Sequence, residues 1–410
     1  MQTKLAADVM NTVLGKEADE ILRRCVHCGF CSATCPTYQI LGDELDSPRG
    51  RIYLIKEMLE GSPVTQTTQK HLDRCLTCRN CETTCPSGVE YGKLIDIGRQ
   101  MVEQRVVRPQ AEKLKRAALR RLLNSSLFAP AYRLGQWMRD WLPPVFQDKV
   151  QVKRGVLALP DNLSRHSRQV LMLVGCVQPT LMPTIDRATI RVLDRLGIGA
   201  RHVPSASCCG ALNFHLDDQE AARSQMRANI DAWWNLLNTG EVEALVINAS
   251  GCGAMIKEYG HHLRLDPAYA QKARFVSEKT KDLAELLAPM ASSIKSLLDV
   301  KKLPEKVAFH PPCTLQHWQG LRPLSESLLR EVGLVLTPFE ETHLCCGSAG
   351  AYSVLEPAIA TALRDRKLEK IDQTTPDMIL SSNVGCIGHL QSGTQTPVRH
   401  WIEAVDQALS

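Results

Sequence analysis

The chain has 410 residues, 44% apolar and 23% charged, a balance that suits a globular protein of several domains and excludes wholesale disorder. Its net charge of +5 conceals an asymmetry, because residues 105–154 carry twelve Lys or Arg against three acidic residues and the remainder is acidic. The opening MQTKLAADVMNTVLGKEADE has no apolar signal core, and no uncharged stretch approaches the roughly 20 residues of a membrane span. The sixteen cysteines are therefore expected in a reducing, cytoplasmic compartment, where clustered thiols mean metal or redox chemistry rather than disulfides.

Residues 4–24 read as a helix leading into CVHCGFCSATCP, which places Cys25, Cys28, Cys31 and Cys35 ahead of Pro36. A near copy, CLTCRNCETTCP, places Cys75, Cys78, Cys81 and Cys85 ahead of Pro86. Each is the C-x2-C-x2-C-x3-C-P run that holds cubane [4Fe–4S] clusters, in which three cysteines wrap one cluster and the fourth completes its neighbour. The expected ligand sets are Cys25, Cys28, Cys31 and Cys85 for one cluster, and Cys75, Cys78, Cys81 and Cys35 for the other. Structural zinc needs only two C-x2-C knuckles and leaves the third and fourth cysteines of each run unexplained.

Between the runs lies a 39-residue insert, Pro36 to Arg74. Within it Ser47-Pro48 reads as an N-cap with proline in the first turn, opening a helix that stops at Gly61. Residues 66–74 and 87–104 are also helical in pattern, so residues 1–104 should form a mostly α-helical domain. Arg49 and Arg51 either face a cluster or partner or are a solvated helix start. His27, between ligands, is expected as a hydrogen-bonding group, since every iron already has its thiolate.

Residues 105–167 form a basic linker with apolar residues at helical spacing, Phe128, Trp137 and Trp141 among them. It suits an anionic membrane surface, an acidic subunit, or a plain linking helix. No nucleic-acid module accompanies the charge, so nucleic acid is not an expected partner.

From residue 168 strand and helix patterns alternate and the chain repeats itself. One copy, 168–290, opens with a strand in RQVLMLVGC ending at Cys176, continues to Cys208-Cys209-Gly210, and has a second strand in EALVINASGC ending at Cys252. The other, 304–410, opens with EKVAFHPPC ending at Cys313, continues to Cys345-Cys346-Gly347, and has DMILSSNVGC ending at Cys386. In both, 31 residues separate the lone cysteine from the pair, and both close with a helix, SEKTKDLAELLA or VRHWIEAVDQAL. A duplicated βαβ-type unit with parallel sheets follows. Its cysteines should gather at the carboxyl ends of strands, as a further iron–sulfur centre, a zinc site, a redox disulfide or packing thiols. Trp233 and Trp234 are expected in the core. His261, His262, His310, His317 and His343 are expected as surface or core residues, with His310 and His343 as candidates for a protonic role.

With both cysteine systems in view, the chain resembles the iron–sulfur subunits of bacterial glycolate oxidases, most of all in GDELDSPRGRIYLIKEMLEG and NIDAWWNLL. More widely it resembles proteins joining a two-cluster ferredoxin module to two CCG domains, such as heterodisulfide reductase subunits and the third subunit of anaerobic glycerol-3-phosphate dehydrogenase. The resemblance implies a multidomain α and α/β protein, a helical two-[4Fe–4S] ferredoxin-like domain followed by a CCG pair. It departs at the C-x-x-C that ends the fuller CCG pattern: Ala249 and Asn383 take the earlier position. Four cysteines per copy rather than five favour a relay or structural role over disulfide reduction.

No dinucleotide, P-loop or flavin-binding pattern appears in the chain. Oxidation of a 2-hydroxy acid needs a hydride acceptor, whereas clusters move single electrons. The resemblance therefore implies an electron-transfer subunit that does not oxidise glycolate alone. A partner subunit would carry FAD and make glyoxylate, and the electrons would leave toward membrane quinone from a peripheral site on the inner membrane face. The competing readings are a reductase whose CCG cysteines are catalytic and a zinc-bound scaffold.

Overall fold

A computed structural model describes residues 1–141, 150, 159 and 166–409. The rest of the expected basic linker, residues 142–149, 151–158 and 160–165, lies outside the described residues. The chain forms two compact units, Met1–Ala117 with His343–Lys367, and Ala118–Thr342 with Leu368–Ser410.

The first unit is helical. The expected helix over 4–24 is broken: a turn at Ala7–Met10 gives way to α1, Val13–Arg24. The Thr12 side chain caps α1 by accepting from the Gly15 amide at 2.9 Å. A Cβ on Gly15 would stand 1.9 Å from the Val9 carbonyl oxygen, so only glycine permits this tight joint. Helix α2, Pro48–Leu59, begins as the sequence implies, with the Ser47 hydroxyl accepting from the Gly50 amide at 2.9 Å, and Gly61 follows it at φ 99°. Helices α3, Gln66–Asp73, and α4, Tyr91–Arg105, complete the frame. Leu22, Ile55, Leu59, Leu72, Leu94 and Ile95 are almost fully buried and form its core. Gly98 of α4 admits Ile55, whose Cδ1 would lie 2.7 Å from a Cβ placed there. Arg99 of α4 donates to the carbonyls of Leu72, Asp73 and Cys75, which closes the C-terminus of α3 and fixes the start of the second cysteine run.

Helix α5, Gln110–Leu123, and α6, Phe128–Trp137, carry the described part of the basic stretch. Part of that charge is internal to the first unit, because buried Arg108 and Arg116 both pair with Asp73. Leu134, Trp137 and Trp141 are exposed, the two tryptophans at 82% and 87%.

The second unit holds the duplicated α/β part. Strands β1 (Arg168–Met172), β2 (Ile198–Arg201), β3 (Leu245–Ile247) and β4 (Thr280–Asp282) form a parallel sheet in the order β2-β1-β3-β4. Strands β5 (Val307–Phe309), β6 (Met378–Ser381) and β7 (Val398–His400) form a parallel sheet in the order β5-β6-β7. A single parallel bridge from Val307 to Leu336 stands where β2 stands in the first copy. Near-complete burial of β3 and β5 explains their unbroken apolar character. Trp233 is buried, whereas Trp234 is half-buried against Phe275, with ring centroids 5.4 Å apart.

The closing segments differ from expectation in the same way in both copies. SEKTKDLAELLA is not one helix: a helix ends at Lys279, β4 follows, and a short helix occupies Leu283–Leu287. VRHWIEAVDQAL likewise gives β7 and then α7, Trp401–Gln407. In each case the last strand residue, Asp282 or His400, caps the helix and Glu285 or Glu403 completes a capping box. The D-x-x-E and H-x-x-E spacings were the available signals.

The copies pack together within this unit, with Thr184 donating to Glu403 at 2.6 Å and Arg191 to Asp406 at 2.7 Å. Beneath lies buried Asp186, whose carboxylate accepts from Gln178 at 2.7 Å and Asn248 at 2.9 Å. Burial pushes its pKa up to about 6, from an ordinary value of 3.8. Between those values the folded state holds a proton that the unfolded state has released, so stability falls as pH rises from about 4 to 6. Asp186→Asn keeps the accepting oxygen without the charge. It should gain on the parent protein across that window by on the order of 2 kcal/mol, read as a rising difference in urea midpoint; a pH-independent difference would show that Asp186 does not titrate there.

Candidate functional site

The two cysteine runs take one backbone path. In each, the residue before the second cysteine has a positive φ, 55° at His27 and 50° at Thr77, and so does the residue after it, 85° at Gly29 and 59° at Arg79. Three of these are not glycine, so the turns store strain of roughly 1 kcal/mol or more per residue. The gain is directional: the Thr77 amide donates to Cys75 Sγ at 3.4 Å, and the His27 amide likewise faces Cys25. His27 thus serves the site through its backbone. Short helices at Phe30–Ala33 and Asn80–Thr84 follow the turns and carry Cys31 and Cys81.

The fourth cysteine of each run crosses over. Cys25, Cys28, Cys31 and Cys85 line one cavity, rimmed by Pro48, Arg49 and Phe30. Cys35, Cys75, Cys78 and Cys81 line a second, with Arg51, Arg79 and Tyr91. Cys81 also reaches the wall of the first cavity, so the two are neighbours. Burial pushes the Cys31 thiol up to about 11 and the Cys35 and Cys81 thiols upward too. An apo cage in this environment keeps its protons, and binding metal must release them. Four converging thiols, with no carboxylate among the residues lining either cavity, fit a soft thiolate-bound centre such as an iron–sulfur cluster.

The second cage is braced by a buried charge network that sequence reasoning did not find. Arg51, 1% exposed, donates to the His71 carbonyl at 2.7 Å, to Thr37 Oγ1 at 3.0 Å and to Asp46 at 3.1 Å, and reaches Cys35 Sγ at 4.0 Å. Asp46, fully buried, also meets Arg74 at 2.9 Å and His71 at 3.1 Å. Tyr91 donates to Cys75 Sγ at 3.6 Å. Of the two expected arginines, Arg51 is internal. Arg49 is partly exposed beside the first cage and paired with Glu44 at 2.7 Å.

In the first repeat the structure brings Cys176, Cys208, Cys209 and Cys252 together. Cys208 interacts with Cys176 and Cys209, and Cys209 with Cys252. Thiol contacts from Cys176 and Cys209, with the amides of Gly210 and Leu212, pull the Cys208 pKa well below the ordinary thiol value. Gly210, at φ 92°, makes the turn after the pair. Cys252 lies not at the strand end but two residues into the helix Ser250–Lys257, and Cys386 likewise sits within Val384–Gln391. Cys176 follows β1 in a loop and Cys313 follows β5 at the start of the short helical segment Thr314–Trp318, each four residues beyond the strand end.

In the second repeat, Cys313 and Cys386 belong to the second unit and Cys345 and Cys346 to the first. His310 is fully buried, and one of its ring nitrogens lies within 4.8 Å of Cys386 Sγ. Asn383, at the missing-cysteine position, precedes its helix and its side-chain amide donates to Cys386 Sγ at 3.7 Å, whereas Ala249 offers no such group. The segment around Cys345 packs on the second cysteine run: Asn80 donates to the His343 carbonyl at 3.1 Å and Tyr352 to the Arg74 carbonyl at 3.0 Å. Gly347, at φ 87°, is irreplaceable there, since a Cβ would stand 2.4 Å from the Ala360 carbonyl oxygen. His261, His262, His317 and His343 are half-buried, and His262 packs against Phe214 in a tilted pair with ring centroids 4.5 Å apart.

Among the described residues no helix is long and apolar enough to cross a membrane. Residues 21–89, which include all eight cysteines of the two runs, match the family described as 4Fe-4S dicluster domain. Residues 170–257 and 307–391 each match the family described as Cysteine-rich domain. The chain is 52% identical over 410 residues to the glycolate oxidase iron–sulfur subunit of Escherichia coli, covering all of this chain and 99% of that one. It is 30% identical over 407 residues to a probable glycolate oxidase iron–sulfur subunit of Bacillus subtilis, covering 91% of this chain and 89% of that one. A lactate utilization protein A of Geobacillus thermodenitrificans is 29% identical over 225 residues, 53% of this chain and 88% of that one. Full-length identity, a dicluster domain and paired cysteine-rich domains together place this chain in the family of glycolate oxidase iron–sulfur subunits.

Proposed function

We propose that the chain is the electron-transfer subunit of a complex that oxidises glycolate to glyoxylate. A separate flavin subunit removes two electrons and two protons from the 2-hydroxy acid, and the electrons leave one at a time through this chain toward membrane quinone. Two [4Fe–4S] clusters bound in the crossed cages supply the one-electron centres. The residues' part is to hold those centres. Cys25, Cys28, Cys31 and Cys85 ligate one, and Cys35, Cys75, Cys78 and Cys81 the other, while strained turns aim amides at the sulfurs. The observation that carries this reading is the crossing itself, because neighbouring cages give electrons a short path inside one compact helical unit.

A second reading for the cysteine-rich domains is favoured by the assembled quartet of the first repeat. Cys176, Cys208, Cys209 and Cys252 suit a further thiolate-bound iron–sulfur or zinc centre, acting as a docking or terminal station. If these domains are instead catalytic, Cys208→Ala abolishes turnover while the cubane signals persist.

In the purified complex, Cys78→Ser should remove roughly half of the cubane iron and stop quinone reduction, while glycolate still bleaches the flavin. Undiminished quinone reduction without this chain, or zinc in place of iron in anaerobic material, would overturn the relay. Exposed Leu134, Trp137 and Trp141, with Arg133 and Arg139 near them in sequence, supply the membrane-facing patch of a peripheral protein. The chain should co-sediment with anionic phosphatidylglycerol vesicles, and the Trp137→Ser, Trp141→Ser double variant should release it; sedimentation unchanged by the variant would remove that assignment.

A further inference from the structure

We propose that Arg51, held by Asp46, makes the cage of Cys35, Cys75, Cys78 and Cys81 the higher-potential of the two, so that it is the resting place of the transferred electron. The inference rests on the reading of both cages as cluster sites and goes beyond it by ordering them.

The physical basis is the charge gained on reduction. A thiolate-ligated centre becomes one unit more negative when it accepts an electron, so positive charge and hydrogen bonds at its sulfurs raise its potential. The two cages differ in these groups. Around the second, the Arg51 guanidinium stands 4.0 Å from Cys35 Sγ, Tyr91 O–H 3.6 Å from Cys75 Sγ and the Thr77 amide 3.4 Å from the same sulfur. Arg79, also buried, lines the same cavity. Asp46 does not cancel Arg51, because its single carboxylate is shared between Arg51, Arg74 and His71, and it is Arg51 Nη1 that reaches Cys35 Sγ. With two arginines on one carboxylate, the network carries net positive charge beside Cys35.

Around the first cage the nearby cations include Arg49, partly exposed and paired with Glu44, Lys56, paired with Glu60, and the Met1 amino group, which donates to the Cys25 carbonyl. The His27 amide is its counterpart of Thr77. Cys28 is exposed, and contact with water also raises a potential. A buried full charge a few ångströms from a ligand is felt several-fold more strongly than one screened by water, so the Arg51 side outweighs the partial solvation of Cys28. The consequence is directional. The favoured cage is the one whose run packs against the segment from His343 to Tyr352, which carries Cys345 and Cys346.

The test is a potentiometric titration of the anaerobically purified full chain, followed by low-temperature electron paramagnetic resonance, with iron measured for every variant. Two reduction steps are expected. Arg51→Gln should move the higher step to more negative potential by at least a tenfold change in the oxidised-to-reduced ratio, about 59 mV for one electron, and leave the lower step in place. Arg51→Lys, which keeps the charge, should recover most of that shift. Tyr91→Phe should move the same step in the same direction by less, and it decides the matter if Arg51→Gln does not load iron. Arg49→Gln should move only the lower step. Absence of iron from the parent chain would defeat the underlying cluster reading. Two steps in the parent, with the higher step unmoved in Arg51→Gln and Tyr91→Phe or with the lower step moving instead, would overturn the ordering alone.

Discussion

Eight thiols in one small helical unit set the constraint to which the rest of that unit answers. Each is harmless as a neutral side chain and costly as a thiolate, and burial raises the cost, as the upward shifts of Cys31, Cys35 and Cys81 record. Beside the turn amides of His27 and Thr77, the groups that shape this setting come from outside the cysteine runs. Arg51 arrives from α2, Tyr91 from α4, and Asp46 from the short turn before Ser47. The 39-residue insert is therefore not a spacer. It carries the helix that places a buried guanidinium beside Cys35, and the Ser47 cap and Gly50 contact fix where that helix begins.

A buried arginine is itself expensive, and Asp46 makes it tolerable. Fully buried and facing Arg51, Arg74 and His71, it leaves the group with a net positive charge, of which the Arg51 guanidinium reaches Cys35 Sγ. Removing either partner would strand the other charge. The first cage is handled differently, with Arg49 and Glu44 near solvent and Cys28 exposed. The same ligand spacing is thus given an ionic, internal setting on one side and a wet one on the other. Identical motifs conceal unequal environments.

What could be read from the residues alone followed from how local the physics is. The cysteine runs, the Ser47-Pro48 helix start and the repeated strand–helix alternation are written in contiguous spacing, and the structure has each of them. The Asp46–Arg51–His71–Arg74 network is not, since its members are brought together only by packing of α2 against α3 and the turn before it. The break at Asn11-Thr12 was hidden because an amphipathic pattern runs through it, and the decisive contact, Gly15 against the Val9 carbonyl, is steric. The strands β4 and β7 were missed because three residues are too short to establish alternation. Their capping boxes were present as Asp282 with Glu285 and His400 with Glu403.

The two repeats share a scaffold and differ in the groups around their cysteines, which bears on what duplication achieved here. Sheet order is kept down to the bridge at Leu336 that replaces a full strand, and both copies retain a glycine in the left-handed region after the cysteine pair. The first copy gathers its four thiols within one unit, with Ala249 contributing nothing polar. The second has Asn383 donating to Cys386, and buried His310 close to that sulfur where the first copy has Leu173. An amide donor and an imidazole can stabilise charge and exchange protons at a thiol, whereas a group of thiols alone offers soft metal ligands. Matched cysteines thus stand among unlike neighbours in the two copies, other thiols in the first and an amide with an imidazole in the second.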